Sequence, residues 1–378
     1  MATRTDCLIV GGGIAGLSLA ARLSRSLRVT VLEAESAPGY HASGRSVAFA
    51  HFGLGERIVR SLTAASLREF ERTRGKSGDP ITRIHPALHI ARKCEMGALD
   101  DLAAVHERFG CRFDRLTGEQ AAQAFPALST GPDKVHAAIL DQGSLKLDTD
   151  AMLQRHIAEI VASGGDIVAG ARVTALEHSG DEWEVASTRG AFRCLRVVNA
   201  AGAWVDEVAK LAGCTPIEIE PRRRTVITLA GPPDTDVSRW PFVKTVGEGF
   251  YILPEGSGRL LASSMDQTPS APCDAAADEL DIAIAADRIV NATSLKIQRI
   301  EHSWAGLRSF ARDELPLIGE ADGAPGFFWY AGQGGFGFQT SPALSRVGEA
   351  AVLGLAFPAD LAELDLAFSD FAPERLAA

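Results

Sequence analysis

The chain has 378 residues, of which 46% are hydrophobic and 23% charged, as expected of a globular protein of about two domains. Its formal net charge is −10 and its basic residues cluster only at Arg222, Arg223 and Arg224, so we expect no nucleic-acid-binding surface. The six cysteines form no C-x-x-C pair, which argues against a metal site or a disulfide framework and predicts reduced, mostly buried thiols.

The N-terminal segment, MATRTDCLIV, lacks the basic stretch, long apolar core and cleavage site of a signal peptide. Glycines interrupt the apolar run over residues 7–23, which disfavours a membrane-spanning helix. We therefore expect a cytoplasmic protein without a transmembrane segment, with peripheral attachment to a membrane as the alternative.

The first elements predict a βαβ unit. An apolar strand over residues 7–10 is followed by a glycine turn, an apolar helix to about residue 24 and a second strand that ends at Glu33. Strands joined through a helix in this way are usually parallel neighbours in one sheet.

Three glycines between the first strand and the helix have the G-x-G-x-x-G spacing of a dinucleotide site: Gly11, Gly13 and Gly16. The first permits the tight turn, the second lets backbone approach a pyrophosphate, and the third packs helix on strand. Glu33 stands where a ribose hydroxyl would lie, and an acid there argues against a 2′-phosphate. The alternative is a glycine turn in an unrelated α/β fold.

Further along, Asp148 and the residues after it predict the start of an amphipathic helix that ends at Gly164-Gly165. Two hairpin strands follow, ARVTALEH and DEWEVAST, and then a buried strand that runs into a small-residue turn at Ala200 to Gly202. We expect this turn to be a second point of approach to a nucleotide.

From residue 215 to about residue 298, alternating apolar runs with proline-rich connections predict a separate antiparallel layer that binds the substrate. The sequence FFWYAGQGGFGFQT then predicts an aromatic strand and a glycine loop. Ser341-Pro342 predicts a helix start, because serine is a common N-cap and proline fits the first turn.

Five segments, in order from residue 10 to residue 343, form a combination more specific than any one of them: VGGGIAG, VLEAESAPGYHASGRSVA, NAAGAW, HSWAGLRSF and GQGGFGFQTSPA. Together they resemble the D-amino-acid oxidase (DAO) superfamily of FAD-dependent amine dehydrogenases and oxidases, in particular its D-arginine dehydrogenase type. The resemblance covers nearly the whole chain. It implies a mixed α/β (α+β) fold, in which a discontinuous Rossmann-like FAD-binding domain is joined to an antiparallel-sheet substrate domain.

The domain boundaries that we predict follow from this division. The FAD-binding domain comprises residues 1–80, 145–213 and 304–378, and the substrate-binding domain comprises residues 81–144 and 214–303.

The resemblance also implies non-covalent FAD, because the C-terminal glycine loop carries no cysteine for a covalent link. The glycine motif would hold the pyrophosphate, and the C-terminal loop and the helix after it would stabilise negative charge at the flavin's pyrimidine edge. The residues implied to contact the cofactor are Gly11, Gly13, Ile14, Ala15, Gly16, Glu33, Ala34, Ser43, Gly44, Arg45, Ser46, Val47, Ala48, Val173, Ala200, Gly202, Trp204, Gly306, Arg308, Gly334, Gly335, Phe336, Gly337, Phe338, Gln339 and Thr340.

For the substrate, the resemblance implies that Arg308 binds an amino-acid carboxylate, which suits a planar, bidentate guanidinium. From composition alone, Arg308 would instead be a structural arginine paired inside the protein. Strand alternation puts Arg222 and Arg224 on one face without choosing it, and the family motif selects Arg224 as the second carboxylate ligand. Tyr251 adds a hydroxyl, or is a plain core aromatic, and the Gly335 carbonyl would accept from the substrate amine.

Four positions would line the side-chain pocket: Phe49, Leu54, Phe242 and Lys244. Phe49 and Leu54 replace a histidine and a tyrosine of the D-arginine enzymes, and the acid that would bind a guanidinium side chain is also missing. Lys244 is either a solvated lysine or, if it points inward, a group that favours an acidic side chain.

The predicted reaction is oxidative deamination of an amino acid by hydride transfer to flavin N5, which gives an imino acid that hydrolyses to a keto acid and ammonia. The electron acceptor stays open between a quinone, an electron carrier and oxygen. A glycine or sarcosine oxidase is one alternative. Another is a 2-hydroxy-acid dehydrogenase, which needs a base such as His51 or His302. A module with structural FAD is a further alternative, against which stand the arginines and Tyr251 that converge on the flavin's face. An NAD-dependent dehydrogenase leaves several motifs unexplained.

Overall fold

A computed structural model describes residues 2–75 and 78–376. Its strands, numbered in chain order, are β1 (Thr3–Arg4), β2 (Cys7–Val10), β3 (Val29–Leu32), β4 (Phe49–Ala50), β5 (Thr82–Ile84), β6 (Ala87–Ala91), β7 (Phe113–Thr117), β8 (Ala137–Asp141), β9 (Leu145–Leu147), β10 (Asp166–Val168), β11 (Val173–Ser179), β12 (Glu182–Ser187), β13 (Gly190–Cys194), β14 (Arg196–Asn199), β15 (Glu220–Ala230), β16 (Phe242–Thr245), β17 (Tyr251–Glu255), β18 (Arg259–Ser263), β19 (Thr268–Pro269), β20 (His302–Phe310), β21 (Leu317–Glu320) and β22 (Phe327–Ala331).

The helices are α1 (Ile14–Leu23), α2 (Arg57–Phe70), α3 (Met96–Arg108), α4 (Gly118–Ala124), α5 (Thr149–Ala162), α6 (Val205–Leu211), α7 (Glu279–Ala292), α8 (Gly337–Leu353) and α9 (Ala359–Ala362). Short 3-10 turns lie at Lys93–Glu95, Gly202–Trp204, Phe368–Asp370 and Pro373–Leu376.

The first sheet has the order β10-β3-β2-β14-β22-β21 and is parallel except for the β21–β22 pair. Its central strands are short apolar runs that are buried along their whole length, as is typical of a parallel sheet covered on both faces. Helices α1, α5 and α8 pack on one face, while β11, β12, β13 and α6 pack on the other. The βαβ unit, the helix after Asp148 and the β11–β12 hairpin are confirmed, as is the mixed α/β fold.

The second large sheet has the order β19-β15-β18-β17-β16-β6-β8-β7, with β20 paired to β15. The strands between residues 220 and 263 pair antiparallel, as predicted, and the β16–β6 pair to an earlier segment of the chain is parallel. One face of the sheet packs on an apolar core with α4 and α7. The opposite face carries the side chains that line the cavity described below.

Strand β20 pairs with β15 along nine residues, from Glu220 opposite Phe310 to Thr228 opposite His302. The sequence places residues from 304 onward with the nucleotide-binding unit, but residues 304–310 are hydrogen-bonded into the sheet that faces it. The division of the chain into two domains remains a proposal, with β20 as the element that joins them.

Helix α8 begins at Gly337, four residues before the predicted start at Ser341, so that prediction is wrong. Pro342 lies inside the helix and has no N–H to offer the Phe338 carbonyl one turn earlier. The Ser341 hydroxyl donates to that carbonyl at 3.0 Å instead. This local hydrogen bond lets the helix tolerate the proline. The earlier start at Gly337 places the helix N-terminus next to the glycine loop.

Cysteine burial agrees with the sequence only in part. Cys7, Cys194 and Cys214 are buried, whereas Cys94 and Cys273 are exposed, and all of them are free thiols. Within residues 2–75 and 78–376, no helix combines the length and apolar character needed to span a membrane. The same ranges contain no group of three or more side chains suited to hold a metal ion.

Candidate active site

A cavity of about 430 Å³ lies between the carboxyl ends of the parallel strands and the face of the second large sheet that is turned away from α4 and α7. Its volume is in the range of small-molecule sites, and the carboxyl edge of a parallel sheet is where such folds bind ligands. We refer to the part next to β2, β3 and β14 as the nucleotide end. The part under β15, β16, β17 and β20 is the substrate end.

The nucleotide end is built mainly of backbone. Gly11 has φ +112°, and a Cβ there would lie 2.4 Å from the Ala200 carbonyl oxygen, so this turn requires glycine. Helix α1 begins after Gly13 without a side-chain cap. Its first-turn N–H groups and the positive end of its dipole therefore form a site for phosphate charge. Ser43 supports this turn by accepting from the Ile14 N–H at 2.9 Å.

Glu33 lies directly after β3 and is buried in the cavity wall. One carboxylate oxygen accepts from the Gly12 N–H at 2.8 Å, and the other accepts from the Glu35 N–H at 2.8 Å. These two donors fix the carboxylate at the edge of the nucleotide end, where acceptor capacity remains for a ribose hydroxyl.

A second helix N-terminus reaches the cavity at α8, which begins after Phe336 without a side-chain cap. The loop before it includes Gly334, whose φ is +49°. A Cβ on Gly335 would lie 2.7 Å from the Arg308 Nη1, so the bare backbone allows the guanidinium to approach this loop closely. The loop therefore offers N–H groups and a helix dipole next to the substrate end.

Arg224 is buried and held from one side by backbone. Its Nε donates to the Asp266 carbonyl at 2.7 Å and its Nη2 donates to the Met265 carbonyl at 3.1 Å, and Met265 has the left-handed φ of +55°. The Asp266 carboxylate is 3.8 Å away. Burial, followed by the charge on Arg308, lowers the pKa of Arg224 to about 9, so it is still protonated at neutral pH.

Arg308 on β20 lies directly opposite Arg222 on β15, and opposed residues share a face of the sheet. Because Arg222 and Arg224 are two residues apart on β15, Arg308 and Arg224 also project from the same face. Among the described residues, none forms a hydrogen bond or ion pair with its guanidinium. Burial lowers the pKa of Arg308, against the opposing influence of Tyr251 and Asp266. An unpaired guanidinium in a cavity wall is costly unless a ligand supplies the anion.

Tyr251 and Lys244 are direct neighbours on β17 and β16 and face the same cavity. Burial raises the pKa of Tyr251, so its hydroxyl remains a neutral donor. Lys244 is only 6% exposed, which rules out a solvated lysine. Burial, and then the charges of Arg224 and Arg308, lower the pKa of Lys244 to about 8.

Aromatic rings close the remaining wall of the substrate end. The Phe49 and Phe242 rings are stacked with centroids 4.5 Å apart, and His51 packs against Phe242 at 5.3 Å. Leu54 also lines this part of the cavity. The substrate end thus combines an apolar wall with a few polar groups, which are the cationic side chains, Tyr251 and His51, as expected of a site that orients its ligand by a few polar contacts.

Most of the residues named from the sequence line this one cavity, including all eight assigned to catalysis or to the side-chain pocket. Three of those assigned to the cofactor do not line it: Gly16, Gly44 and Thr340. Gly16 packs against the Gly11 carbonyl, Gly44 donates its N–H to the Gly39 carbonyl, and the Thr340 hydroxyl donates to the Phe336 carbonyl. Their contacts support the walls of the cavity from behind.

The cavity also has lining residues for which no role was predicted from the sequence. Met265 follows β18, Cys273 lies between β19 and α7, and Tyr40 and His41 come from the loop before β4. The sequence also did not predict that the backbone at Met265 and Asp266 holds Arg224. The left-handed backbone conformation of Met265 has no recognisable sequence pattern. The exposed His302 does not line the cavity, which removes it as a candidate base.

The residues present fit FAD. The uncapped start of α1 and its glycine turn suit the pyrophosphate, Glu33 suits the ribose, and the α8 N-terminus with the Gly334–Gly335 loop suits an electron-rich ring edge. When bound, FAD supplies a two-electron oxidant. The substrate end supplies fixed positive charge beside it.

The comparisons with known proteins agree with this site. The family model described as FAD dependent oxidoreductase (DAO) matches residues 6–348. The hydrogen cyanide synthase subunit HcnC of Pseudomonas protegens is 25% identical, with 94% of each chain covered. Dimethylglycine dehydrogenase of Mus musculus is 24% identical over 96% of this chain, which spans only 44% of that protein.

Among solved structures, glycine oxidase from Geobacillus kaustophilus has a TM-score of 0.79 and 21% identity, with 94% of this chain and 97% of that chain covered. The L-α-glycerophosphate oxidase from Mycoplasma pneumoniae, solved with FAD bound, has a TM-score of 0.81 and 19% identity, with coverage of 93% and 95%. These likenesses show the same fold. The chain belongs to the DAO family of FAD-dependent oxidoreductases.

Proposed function

We propose that this chain is a FAD-dependent D-amino-acid dehydrogenase that oxidatively deaminates an amino acid with a free carboxylate. The observation that carries the proposal is the Arg308 guanidinium, which has no partner among the described residues and opens into the cavity beside Arg224 and Tyr251. A fixed cation of this kind is most simply explained as the ligand of a carboxylate that arrives with the substrate.

The side chains of the substrate end would then act by orientation and by charge. Arg308 and Arg224 hold the carboxylate, Tyr251 donates its hydroxyl, and the Gly335 carbonyl accepts from the amine. Positive charge disfavours an ammonium group in the same cavity. The substrate amine therefore binds in its neutral form or loses its proton soon after binding. The oxidised product is an imino acid, which water hydrolyses to a keto acid and ammonia without a side-chain base.

A 2-hydroxy-acid dehydrogenase is the second candidate, because His51 lines the cavity. Burial, and then Lys244, lower the pKa of His51, so the ring is neutral. The Gly53 N–H donates to His51 Nδ1 at 3.0 Å, which leaves the ring proton on Nε2. In that tautomer Nε2 is a donor rather than a base, and this favours the amine reaction.

The test is anaerobic mixing of the FAD-loaded protein with D- and L-amino acids, N-methylglycine and 2-hydroxy acids, while the oxidised-flavin absorbance is followed. Loss of absorbance with D-amino acids is the expected result. Loss with 2-hydroxy acids alone would replace the amine mechanism, and loss with N-methylglycine or glycine alone would shift the proposal to that amine class. Subsequent admission of air, with assay of peroxide, separates an oxidase from a dehydrogenase.

A further inference from the structure

Lys244 is a buried cation whose charge is not balanced by the protein. It is 6% exposed, it lines the substrate end, and its ammonium donates to the Thr245 carbonyl at 2.9 Å. No carboxylate among the described residues forms an ion pair with it. Since an ammonium has three donors, two remain for a group in the cavity.

The neighbours of Lys244 offer no anion. Tyr251 flanks it on β17 and His89 flanks it on β6, in register in both cases. His89 is fully buried, and burial holds its pKa well below the usual range, so it is neutral. Beyond His89, the Asp141 carboxylate is occupied by His106 at 3.2 Å and by the Ser144 hydroxyl at 2.5 Å.

Other charges near Lys244 make the excess larger. Arg224, Arg308 and Arg60 of α2 are close enough to lower the pKa of Lys244. The carboxylates that line the cavity are Glu33, Glu35 and Glu207, which belong to the nucleotide end. The substrate end thus contains several cations and, among the described residues that line it, no carboxylate.

The cations reach the cavity from two separate places on the sheet. Arg224 lies on β15 and Lys244 on β16, with β18 and β17 between them, so their backbones are about 14 Å apart along the sheet. Tyr251 lies between the two groups. The side chains converge on the same cavity from these separate strands, since burial, and then the charges of Arg224 and Arg308, lower the pKa of Lys244. A carboxylate held by the two arginines therefore leaves the ammonium of Lys244 to a second part of the same ligand.

Building on the proposed function, we infer that the substrate carries a second carboxylate, which Lys244 binds while Arg308 and Arg224 hold the first. The substrate class is thus an acidic, dicarboxylic amino acid. A substrate with a neutral side chain would occupy the same space and leave the ammonium without a partner, and an unpaired buried charge discriminates strongly against such a ligand.

The test uses ligands that cannot be oxidised. FAD-loaded wild-type protein and Lys244→Met are titrated with succinate and glutarate, and with butyrate and valerate as monocarboxylates of matched length, while the flavin visible spectrum is followed. In the wild-type protein we expect each dicarboxylate to bind roughly 10- to 100-fold more tightly than the monocarboxylate of matched length. Lys244→Met should remove this difference, because it should weaken dicarboxylate binding much more than monocarboxylate binding.

Two controls separate the role of Lys244 from general damage. Lys146→Met removes a lysine that pairs with Glu255 at 2.9 Å outside the cavity, so it should retain the dicarboxylate preference. Lys244→Gln keeps a polar side chain without the charge and should behave as Lys244→Met does. Equal loss for both ligand classes in Lys244→Met would overturn the inference, because it indicates a structural role.

The wild-type titration alone also decides the question. Equal affinity for dicarboxylates and monocarboxylates would reject the second carboxylate site and leave the proposed amine oxidation standing. Preferred binding of dicarboxylates in a protein whose flavin no amino acid reduces would reject the proposed function and keep the anion site.

Discussion

The two ends of the cavity are built from different parts of the chain. The nucleotide end is built around backbone between Val10 and Glu33, with glycine where a side chain would collide, and residues 39–43, 171–173 and 200–204 complete its walls. The substrate end consists of side chains from strands far apart in sequence, among them Arg224, Lys244 and Arg308. The first end therefore depends on local conformation, and the second depends on how the strands pair.

This difference determines what a substitution does. At the nucleotide end, an added atom meets backbone that cannot move without disturbing the parallel sheet, so cofactor binding and folding are lost together. At the substrate end, the strands are held by their own hydrogen bonds, so a side chain is removable without loss of the sheet. Folding and substrate affinity should respond separately there.

Gly16→Ala tests the nucleotide end and should have the largest effect. A Cβ at this position would lie 1.9 Å from the Gly11 carbonyl oxygen, so helix α1 has to move away from β2. We expect the free energy of unfolding to fall by roughly 4 kcal/mol or more. We also expect the variant to lose most of its bound flavin, measured as the flavin-to-protein ratio. Gly97→Ala in α3, where nothing lies within 4 Å, should retain its flavin.

Arg308→Met tests the substrate end. Removal of a charge that binds a substrate carboxylate costs about 2–5 kcal/mol, so we expect kcat/KM to fall by roughly 1.5 to 3.5 orders of magnitude. The flavin content and melting temperature should stay close to those of the wild-type protein. The matched control is Arg222→Met, since Arg222 lies opposite Arg308 and is paired with Glu220 and Glu314. Equal kinetics in both variants would remove Arg308 from the site.

The same contrast explains what the sequence could predict. The glycine turn, Glu33 and the βαβ unit are readable because each depends on residues within about one element of its neighbours. The face of β15 that carries Arg224 was not readable from alternation, which leaves both faces equivalent until the pairing with β20 is known. The turn at Met265 that holds Arg224 has no sequence pattern. Long-range register and unusual backbone angles thus limit the prediction.

The pH dependence of ligand binding tests the charge at the substrate end. The pKa of Lys244 is lowered to about 8, so its ammonium is present at pH 7 and largely absent at pH 9. Glutarate affinity should be highest near pH 7, where both ligand carboxylates are ionised, and fall about tenfold by pH 9, since the ligand binds the protonated form of Lys244. Valerate affinity should fall less over the same pH range. The difference between the two ligands separates the effect of deprotonating Lys244 from that of deprotonating Arg224. A parallel fall for both ligands would contradict this assignment.

The smallest effect is expected where the sequence misplaced the start of α8, next to the loop that joins the two ends. Ser341→Ala removes the hydroxyl that donates to the Phe338 carbonyl, and Pro342 has no N–H to replace it. The buried carbonyl then loses a donor, at a cost of about 1 kcal/mol in the free energy of unfolding by urea.

Pro342→Ala supplies a backbone N–H to the same carbonyl, so the double variant isolates the role of the hydroxyl. In the Pro342→Ala background, Ser341→Ala should cost clearly less than it does alone, because the new N–H takes over the vacated acceptor. If the cost is the same in both backgrounds, the hydroxyl does not compensate for the proline. The helix start at Gly337, and with it the dipole at the junction of the two ends, would then need another explanation.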